Sequence, residues 1–302
     1  MSRKPIALAA IAAALLSSLP AQAQTEIVWW HSMGGQLGEW VNGLAKGFND
    51  SQKEFKVTPV FKGSYPESFA AAIAAFRAGN PPHILQVFEV GTATMMASKG
   101  AIVPVDQVMK QGGVAFDSSV YVPAVSGYYT APNGQMLSLP FNSSTTVLHY
   151  NKDAFKAAGL DPNSPPKTWP ELVLTAAKLK ASGHKCPFTT TWQSWTQLES
   201  FSAWHNVEFA TKRNGFGGMD TRLNITSPLH VRHIENLANM AQQGLFVYKG
   251  RSGAADAVFQ SGECAMYTGS SAAYGGIKRN LKAEAGISTL PYYPDVPGAP
   301  QN

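Results

Sequence analysis

Between Ile27 and Phe88 the sequence switches repeatedly between strand-like and helix-like spacing of its apolar residues, and that alternation constrains the fold most. Ile27 to Trp30 is a short apolar run ending at His31 and reads as a buried strand. Leu37, Trp40, Val41, Leu44 and Phe48 then recur at helical spacing along one face. Phe55 to Phe61 is a second strand, and Pro59, which has no N–H for a ladder, assigns it to an edge. Lys62, Gly63, Ser64 and Tyr65 lead into a helix through Arg77, with Ser64 and Glu67 at the spacing of a capping box. Gly79, Asn80, Pro81 and Pro82 stop it, and Ile84 to Phe88 returns as a third strand with Glu89 at its carboxyl end. Strands joined by helices predict an α/β fold with a parallel sheet wound by crossovers.

Ligands of such sheets sit outside the carboxyl ends of the strands, where His31, Tyr65 and Glu89 fall. Each also has an ordinary role open to it. His31 can cap a turn, Tyr65 can pack on the surface, and Glu89 can be solvated.

The segment before this alternation is an address. Arg3 and Lys4 precede the apolar run IALAAIAAALLSSL, and Pro20 leads to a small-residue site ending at Ala23, so residues 1–23 read as a cleavable signal peptide. The run is shorter than the ~20 apolar residues a spanning helix needs. Losing Arg3 and Lys4 takes the formal charge from +5 to +3. The remaining lysines are scattered rather than clustered, which speaks against nucleic acid as a partner. Cys186 and Cys264 make an even count in an exported chain, where oxidation is the default, so a disulfide is expected beside the alternative of two buried thiols.

Tyr128 begins a different pattern. GYYTAP and QMLSLP flank Asn133-Gly134, a pair that favours a hairpin turn. LPFNSSTTVLHYNKDAF follows, in which Pro140 fixes an extended approach to Asn142, Ser143, Ser144 and Thr145, making this stretch a candidate hinge between two bodies. Serine-rich turns form for local reasons too. In the second body, Thr168 and Glu171 form a capping box ahead of a helix to Ala181, with Trp169 and Pro170 in its first turn. Cys186 to Thr190 reads as a strand, and Trp195, Leu198, Phe201 and Trp204 line a helix. Ser227-Pro228 starts another helix, with Val231, Ile234 and Leu237 inward and Gly244 as its stop. Cys264 to Thr268 is a strand running into Gly269, Ser270 and Ser271 before a further helix, a turn whose N–H groups suit phosphate or carboxylate. A serine there can equally cap its own helix.

Signatures of catalysis are missing: no GxSxG, HExxH, Walker A loop or GxGxxG after a strand occurs. His230 and His233 share a helix face, but two ligands do not make a zinc site, and solvated surface is the expectation. Neither a metal, a cofactor nor a catalytic residue is expected. The rival class is a secreted hydrolase, such as a glycosidase, for which carboxylates such as Glu89 and Glu171 would have to come together.

Several blocks resemble one family: WWHSMGGQLG, FKGSYPESFAAAIAAFRAGNPPHILQVFEVGTATMMAS, VSGYY, LPFNSST, YNKDAFKAAGLDP, PPKTW and WQSWTQLESFSAW. They are similar to the family 1 extracellular solute-binding proteins of bacterial ABC transporters, and the long block to the sn-glycerol-3-phosphate binders among them. The resemblance implies a periplasmic, monomeric, non-catalytic protein of the two-lobed type II periplasmic-binding-protein fold. Lobe 1 would be residues 24–140 and lobe 2 residues 141–302. It also implies sn-glycerol-3-phosphate or a glycerophosphodiester as ligand, and an inner-membrane ABC permease with its ATPase as partners. Carried over by position, Tyr65, Glu89, Ser144 and Ser270 match ligand contacts and Trp169 an aromatic wall. Members of the family continue well beyond GAPQN, so the resemblance further implies that lobe 1 is incomplete at its C-terminus and that an arginine for the phosphate, together with tight binding, is missing from this chain.

Overall fold

The computed structural model describes residues 24–98, 100–131, 133–218 and 220–300, with the side chains of residues 89, 90, 93 and 96 outside that description. The expected signal peptide, residues 1–23, lies outside the described residues. The chain separates into two compact units, Met1–Asp117 with Met136–Phe141, and Ser118–Gln135 with Asn142–Asn302. Residues 118–135, which the sequence places in the first lobe, thus cluster with the second unit, where the Tyr128 ring packs edge-on against Phe216 at 5.5 Å.

Unit 1 contains β1 (Thr25–His31), α1 (Gly35–Ser51), β2 (Phe55–Phe61), α2 (Tyr65–Arg77), β3 (Ile84–Leu85), α3 (Glu89–Ala97) and α4 (Val105–Gln111). Its sheet has the order β2-β1-β3 and is parallel throughout. Pro59 lies on the edge strand β2, opposite Trp29, as its missing N–H requires. The third strand is shorter than the apolar run suggests. The Gln86 N–H still reaches the Trp30 carbonyl at 2.9 Å, but the Gln86 side chain then accepts from the Ser32 N–H at 3.0 Å, so a side chain takes over from the ladder. Along α1 only Val41 and Ala45 are buried. Trp40 stacks on Phe141 at 4.9 Å, while Leu37, Leu44 and Phe48 remain 37%, 44% and 45% exposed, because three strands do not cover the whole stripe.

Unit 2 opens with a 3-10 turn (Ser118–Val120) and α5 (Pro123–Tyr128), which takes up Gly127 and Tyr128 from the first arm of the expected hairpin, while the Ala131 N–H still bonds the Gln135 carbonyl across the turn at 2.8 Å. The tight turn survives: Gly134 has φ +84° and its N–H bonds the Ala131 carbonyl at 2.9 Å. The unit continues with β4 (Thr146–Asn151), α6 (Lys152–Ala157), α7 (Trp169–Ala181), β5 (Phe188–Thr190) and a π turn (Trp195–Glu199) leading into α8 (Ser200–Trp204). There follow α9 (Pro228–Gln242), α10 (Ala254–Gln260), β6 (Met266–Ser270), a 3-10 turn (Ser271–Ala273), α11 (Tyr274–Asn280) and β7 (Ala285–Thr289). The sheet order is β5-β6-β4-β7, with β5 parallel to β6 and the other pairs antiparallel.

Side chains alternate across this sheet with the strand period of two. Leu148, Tyr150 and Met266 enter a core with Trp169, Leu172, Phe188, Phe201, Leu237 and Met240. Tyr267 joins Phe259, Ile277, Leu281, Cys186 and Cys264 in a second core. His149 stacks on Tyr267 at 5.6 Å. Cys186 and Cys264 are joined by a disulfide that closes a separation of 78 residues.

Helix α9 turns a different face inward from the one its apolar spacing suggests. His230, His233, Leu237 and Met240 are buried, whereas Val231 and Ile234 are 45% and 46% exposed. The histidines displace them because each finds partners. His230 sits between the Ser202 and Ser227 hydroxyls, both at 2.7 Å. His233 lies flat on Phe201 at 3.9 Å, with Nε2 2.9 Å from Gln197 Oε1. Nearby, the Tyr293 N–H donates to His205 Nε2 at 2.9 Å.

Burial holds all three histidines below their ordinary pKa, His233 at about 3 against 6.5. Above pH 6.5 these groups are neutral in both folded and unfolded chains. Below it the unfolded chain takes up protons that the folded one refuses, so stability falls as pH drops from 6.5 toward 3. A full shift at His233 alone corresponds to on the order of 3 kcal/mol at pH 4. Thermal unfolding followed from pH 7.5 to pH 4 should show this decline, flattened in His233→Gln; an equally steep decline in the variant would remove His233 as its source. Separately, reducing the disulfide should lower stability by about 2–5 kcal/mol. Urea unfolding of parent and Cys264→Ala protein, each with and without reductant, measures it, with only the parent expected to respond.

Candidate ligand-binding site

The strand ends of unit 1 are held open by backbone geometry. After β2 the chain turns at Gly63, φ +79°, where a Cβ would lie 2.5 Å from the Glu67 carboxylate. That carboxylate accepts from the Ser64 N–H at 2.7 Å and the Ser64 hydroxyl at 2.8 Å, which lowers its pKa and fixes the start of α2 at Tyr65. The Tyr65 ring stacks flat on Phe88 at 5.2 Å. Glu89 is the next residue and the first of α3, so two of the sequence-predicted contacts come to one end of this sheet, although the Glu89 side chain lies outside the described residues. The same end carries Lys62, whose ammonium stands 3.8 Å above the Trp30 ring. His31 is buried, its pKa lowered by that burial, and its Nδ1 accepts from the Met33 N–H at 3.2 Å.

In unit 2 three strands meet at one edge of the sheet. Thr146 pairs with Ser270, and Thr190 pairs with Thr268. Ser144 therefore precedes β4 at the edge where β6 delivers Ser270. β6 begins and ends two residues later than the sequence suggests, which makes Ser270 the last residue of the strand. The turn after it offers fewer N–H groups than expected. The Ser271 N–H donates to the Thr145 carbonyl at 2.8 Å, and the Ala272 N–H donates to Ser270 Oγ at 3.0 Å. Ser270 thus caps its own turn as an acceptor and keeps its O–H proton to donate. His149 Nε2 lies 3.1 Å from the Ser270 carbonyl and steadies the strand end from beneath.

Trp169 is not at this edge. It is 1% exposed, packed 4.6 Å from His233 and 6.2 Å from Phe188, so the expected aromatic wall is a core residue. The cause is local: the Thr168–Glu171 capping box starts α7 at Trp169 and the Trp169 N–H bonds the Tyr292 carbonyl at 3.0 Å, aiming the indole inward. Glu171 is occupied by the same box, accepting from the Lys167 and Thr168 N–H groups at 2.7 and 3.0 Å.

The aromatic residue that does reach the edge is Trp192, two residues past Thr190 as Ser270 is two past Thr268. It is half-buried and has φ +47°, a left-handed backbone that is an outlier for so bulky a side chain. The available sequence signal was WQSW directly after a strand. Among the described residues no group of three or more His, Cys, Asp or Glu could hold a metal ion.

A model of the bacterial extracellular solute-binding protein family matches residues 34–302. The chain belongs to that family. It is 54% identical over 295 residues to the sn-glycerol-3-phosphate-binding periplasmic protein UgpB of Pectobacterium atrosepticum, covering 97% of this chain and 66% of that protein. Against the UgpB of Brucella abortus it is 52% identical over 283 residues, covering 93% of this chain and 65% of the relative. The chain therefore spans just under two thirds of the length of these relatives. Among solved structures, UgpB from Mycobacterium tuberculosis in complex with glycerophosphocholine superposes with a TM-score of 0.75 at 22% identity, over 90% of this chain and 66% of that one. Maltose-bound MalE3 of T. maritima gives 0.74 at 17%, over 90% and 68%. The fold is the α/β fold of type II periplasmic solute-binding proteins.

Gly269 tests the geometry of the unit 2 edge. A Cβ there would stand 2.2 Å from Tyr267 Oη and 2.8 Å from Thr191 Cγ2. Gly269→Ala should therefore cost about 1–3 kcal/mol in urea unfolding, the range for overpacking. An unchanged midpoint would mean that Tyr267 and Thr191 are not held against this strand.

Proposed function

We propose that the chain is the periplasmic capture component of an ABC uptake system, binding sn-glycerol-3-phosphate and glycerophosphodiesters and handing them to an inner-membrane permease and its ATPase. The observation that carries this reading is the 54% identity, over 97% of the chain, to a protein named for binding sn-glycerol-3-phosphate in the periplasm. The strand-end geometry supports it. Ser144 and Ser270 stand at one sheet edge with hydroxyls able to donate to phosphate oxygens. Glu89 follows Phe88, on which Tyr65 stacks, and an ionised carboxylate can only accept, so Glu89 takes the glycerol hydroxyls while Tyr65 serves either end. Trp192 supplies the aromatic wall in place of Trp169. No chemical step belongs to this function.

Isothermal titration of the protein extended by the C-terminal portion that its longer relatives carry, with sn-glycerol-3-phosphate and with maltose as control, tests the ligand. Heat with maltose alone would refute the assignment, and release of free alcohol from a glycerophosphodiester would favour the hydrolase. Within a binding protein, Glu89→Ala should weaken affinity by about 1.5–3 kcal/mol, as for a hydrogen bond to a charged group. Unchanged affinity would take Glu89 out of the site.

A further inference from the structure

Ser270 stands where the ladder between β4 and β6 gives out. The Ser271 N–H bonds the Thr145 carbonyl at 2.8 Å, which makes residues 145 and 271 a hydrogen-bonded pair and puts Ser270, opposite Thr146, in the non-hydrogen-bonded position beside it. The Ser270 carbonyl is therefore not a ladder acceptor for β4. On the other side of β6, β5 ends at Thr190 opposite Thr268, two residues short of Ser270. A side chain serves this carbonyl instead, with His149 Nε2 at 3.1 Å. The peptide joining Ser270 to Ser271 is thus gripped at both ends, its carbonyl by His149 and its N–H by Thr145. Two further bonds tie the same turn: the Ala272 N–H donates to Ser270 Oγ at 3.0 Å, and the Thr145 N–H donates to Ser271 Oγ at 3.2 Å.

An imidazole is an expensive ring to put at position 149. It is fully buried, directly opposite Tyr267, on which it stacks at 5.6 Å, and it lies 6.2 Å from Phe259. A phenyl ring would fill that place without polar atoms to satisfy. A carbonyl only accepts, so His149 Nε2 carries a proton. Nδ1 is buried and has no hydrogen-bond partner among the described residues, and a proton there would add a buried donor with nothing to receive it. The ring is accordingly the neutral form with its proton on Nε2, in keeping with the burial that lowers its pKa. Its bond to Ser270 is the one thing that an apolar ring could not supply.

We propose that His149 is a positioning residue for ligand binding: by donating from Nε2 to the Ser270 carbonyl it fixes the peptide that follows Ser270, and with it the direction in which the Ser270 hydroxyl is presented. The role in affinity rests on the proposed function. The bond and the tautomer do not.

Nitrogen NMR of the ligand-free protein near neutral pH, with the ring assigned by His149→Phe, should find Nε2 protonated and Nδ1 bare. The carbonyl carbon signal of Ser270 should shift in His149→Phe and return toward its parent position in His149→Gln, whose amide donates at a similar reach. His149→Gln also removes the ring signals, so the assignment stays open if His149→Phe fails to fold. A bare Nε2, or a Ser270 carbonyl signal that loss of the donor leaves in place, would overturn the proposal. In the C-terminally extended protein, His149→Phe should weaken sn-glycerol-3-phosphate binding about tenfold with little change in urea midpoint, and His149→Gln should recover most of that loss. In a Ser270→Ala background the same His149→Phe change should cost less than about twofold. Unchanged affinity with a lowered midpoint would mean that the ring serves the core alone, and equal losses in both backgrounds would mean that it does not act through Ser270; either result ends the positioning role. If the extended parent does not bind this ligand, the proposed function fails, and the nitrogen and carbonyl signals decide the bond on their own.

Discussion

The pairing of β4 with β6 in unit 2 is the constraint on which the rest of that unit depends. Because Thr146 faces Ser270 and Tyr150 faces Met266, alternate residues of both strands are committed to opposite cores. A slip of one residue in β6 would send Met266 among the rings around Tyr267, and one in β4 would turn His149 into the core of Trp169, Phe188 and Phe201. The disulfide reinforces the register from one end, tying the approach to β6 to the approach to β5. At the other end the strand stops on a serine whose hydroxyl is fixed by the turn it caps. Binding chemistry at this edge is thus set by the same backbone bonds that hold the core.

Much of this was legible in the sequence, and the failures share a cause. The crossover pattern of unit 1, its proline edge and both capping boxes follow from local rules, and local rules reach the start of a helix well. They reach its orientation less well. Helix α9 reads as carrying Val231 and Ile234 inward, yet His230 and His233 are the buried pair because the Ser202 hydroxyl and Gln197 wait there from other elements, with the helix's own N-cap Ser227 as the second partner of His230. Hydrophobic spacing has no access to partners that lie far along the chain. Trp169 fails in the same way: its place in the first turn of α7 was readable, but not that this turn faces the core.

The candidate site was legible in outline because strand ends are readable as apolar runs that stop at polar residues. Tyr65 was singled out by that route, Ser144 by the hinge reading around Pro140 and Ser270 by the small-residue turn after a strand, while their roles as contacts came from the resemblance. Trp192 was not singled out, since nothing in a tryptophan's letter marks the sign of its φ angle. The offer of N–H groups after β6 was overread for a related reason. Whether an N–H is free depends on which carbonyl approaches it, and Thr145 comes from the other end of the unit.

The π turn at Trp195–Glu199 carries a consequence for how this chain can tolerate change in length. A wide turn holds one residue more than the α-helix it interrupts, and each helical residue advances the side-chain direction by about 100°. Thr196 and Gln197 can therefore serve the sheet edge, with Gln197 donating to Thr190 and Thr268 at 2.7 and 3.0 Å, while Phe201, one turn on, and His205, two turns on, belong to the core beneath α9. Deleting a single residue here would regularise the helix and rotate everything after it by that angle, swinging Phe201 off His233. The extra residue works as a gear tooth between two surfaces that would otherwise not mesh, and its position in the chain is fixed even where its identity is free.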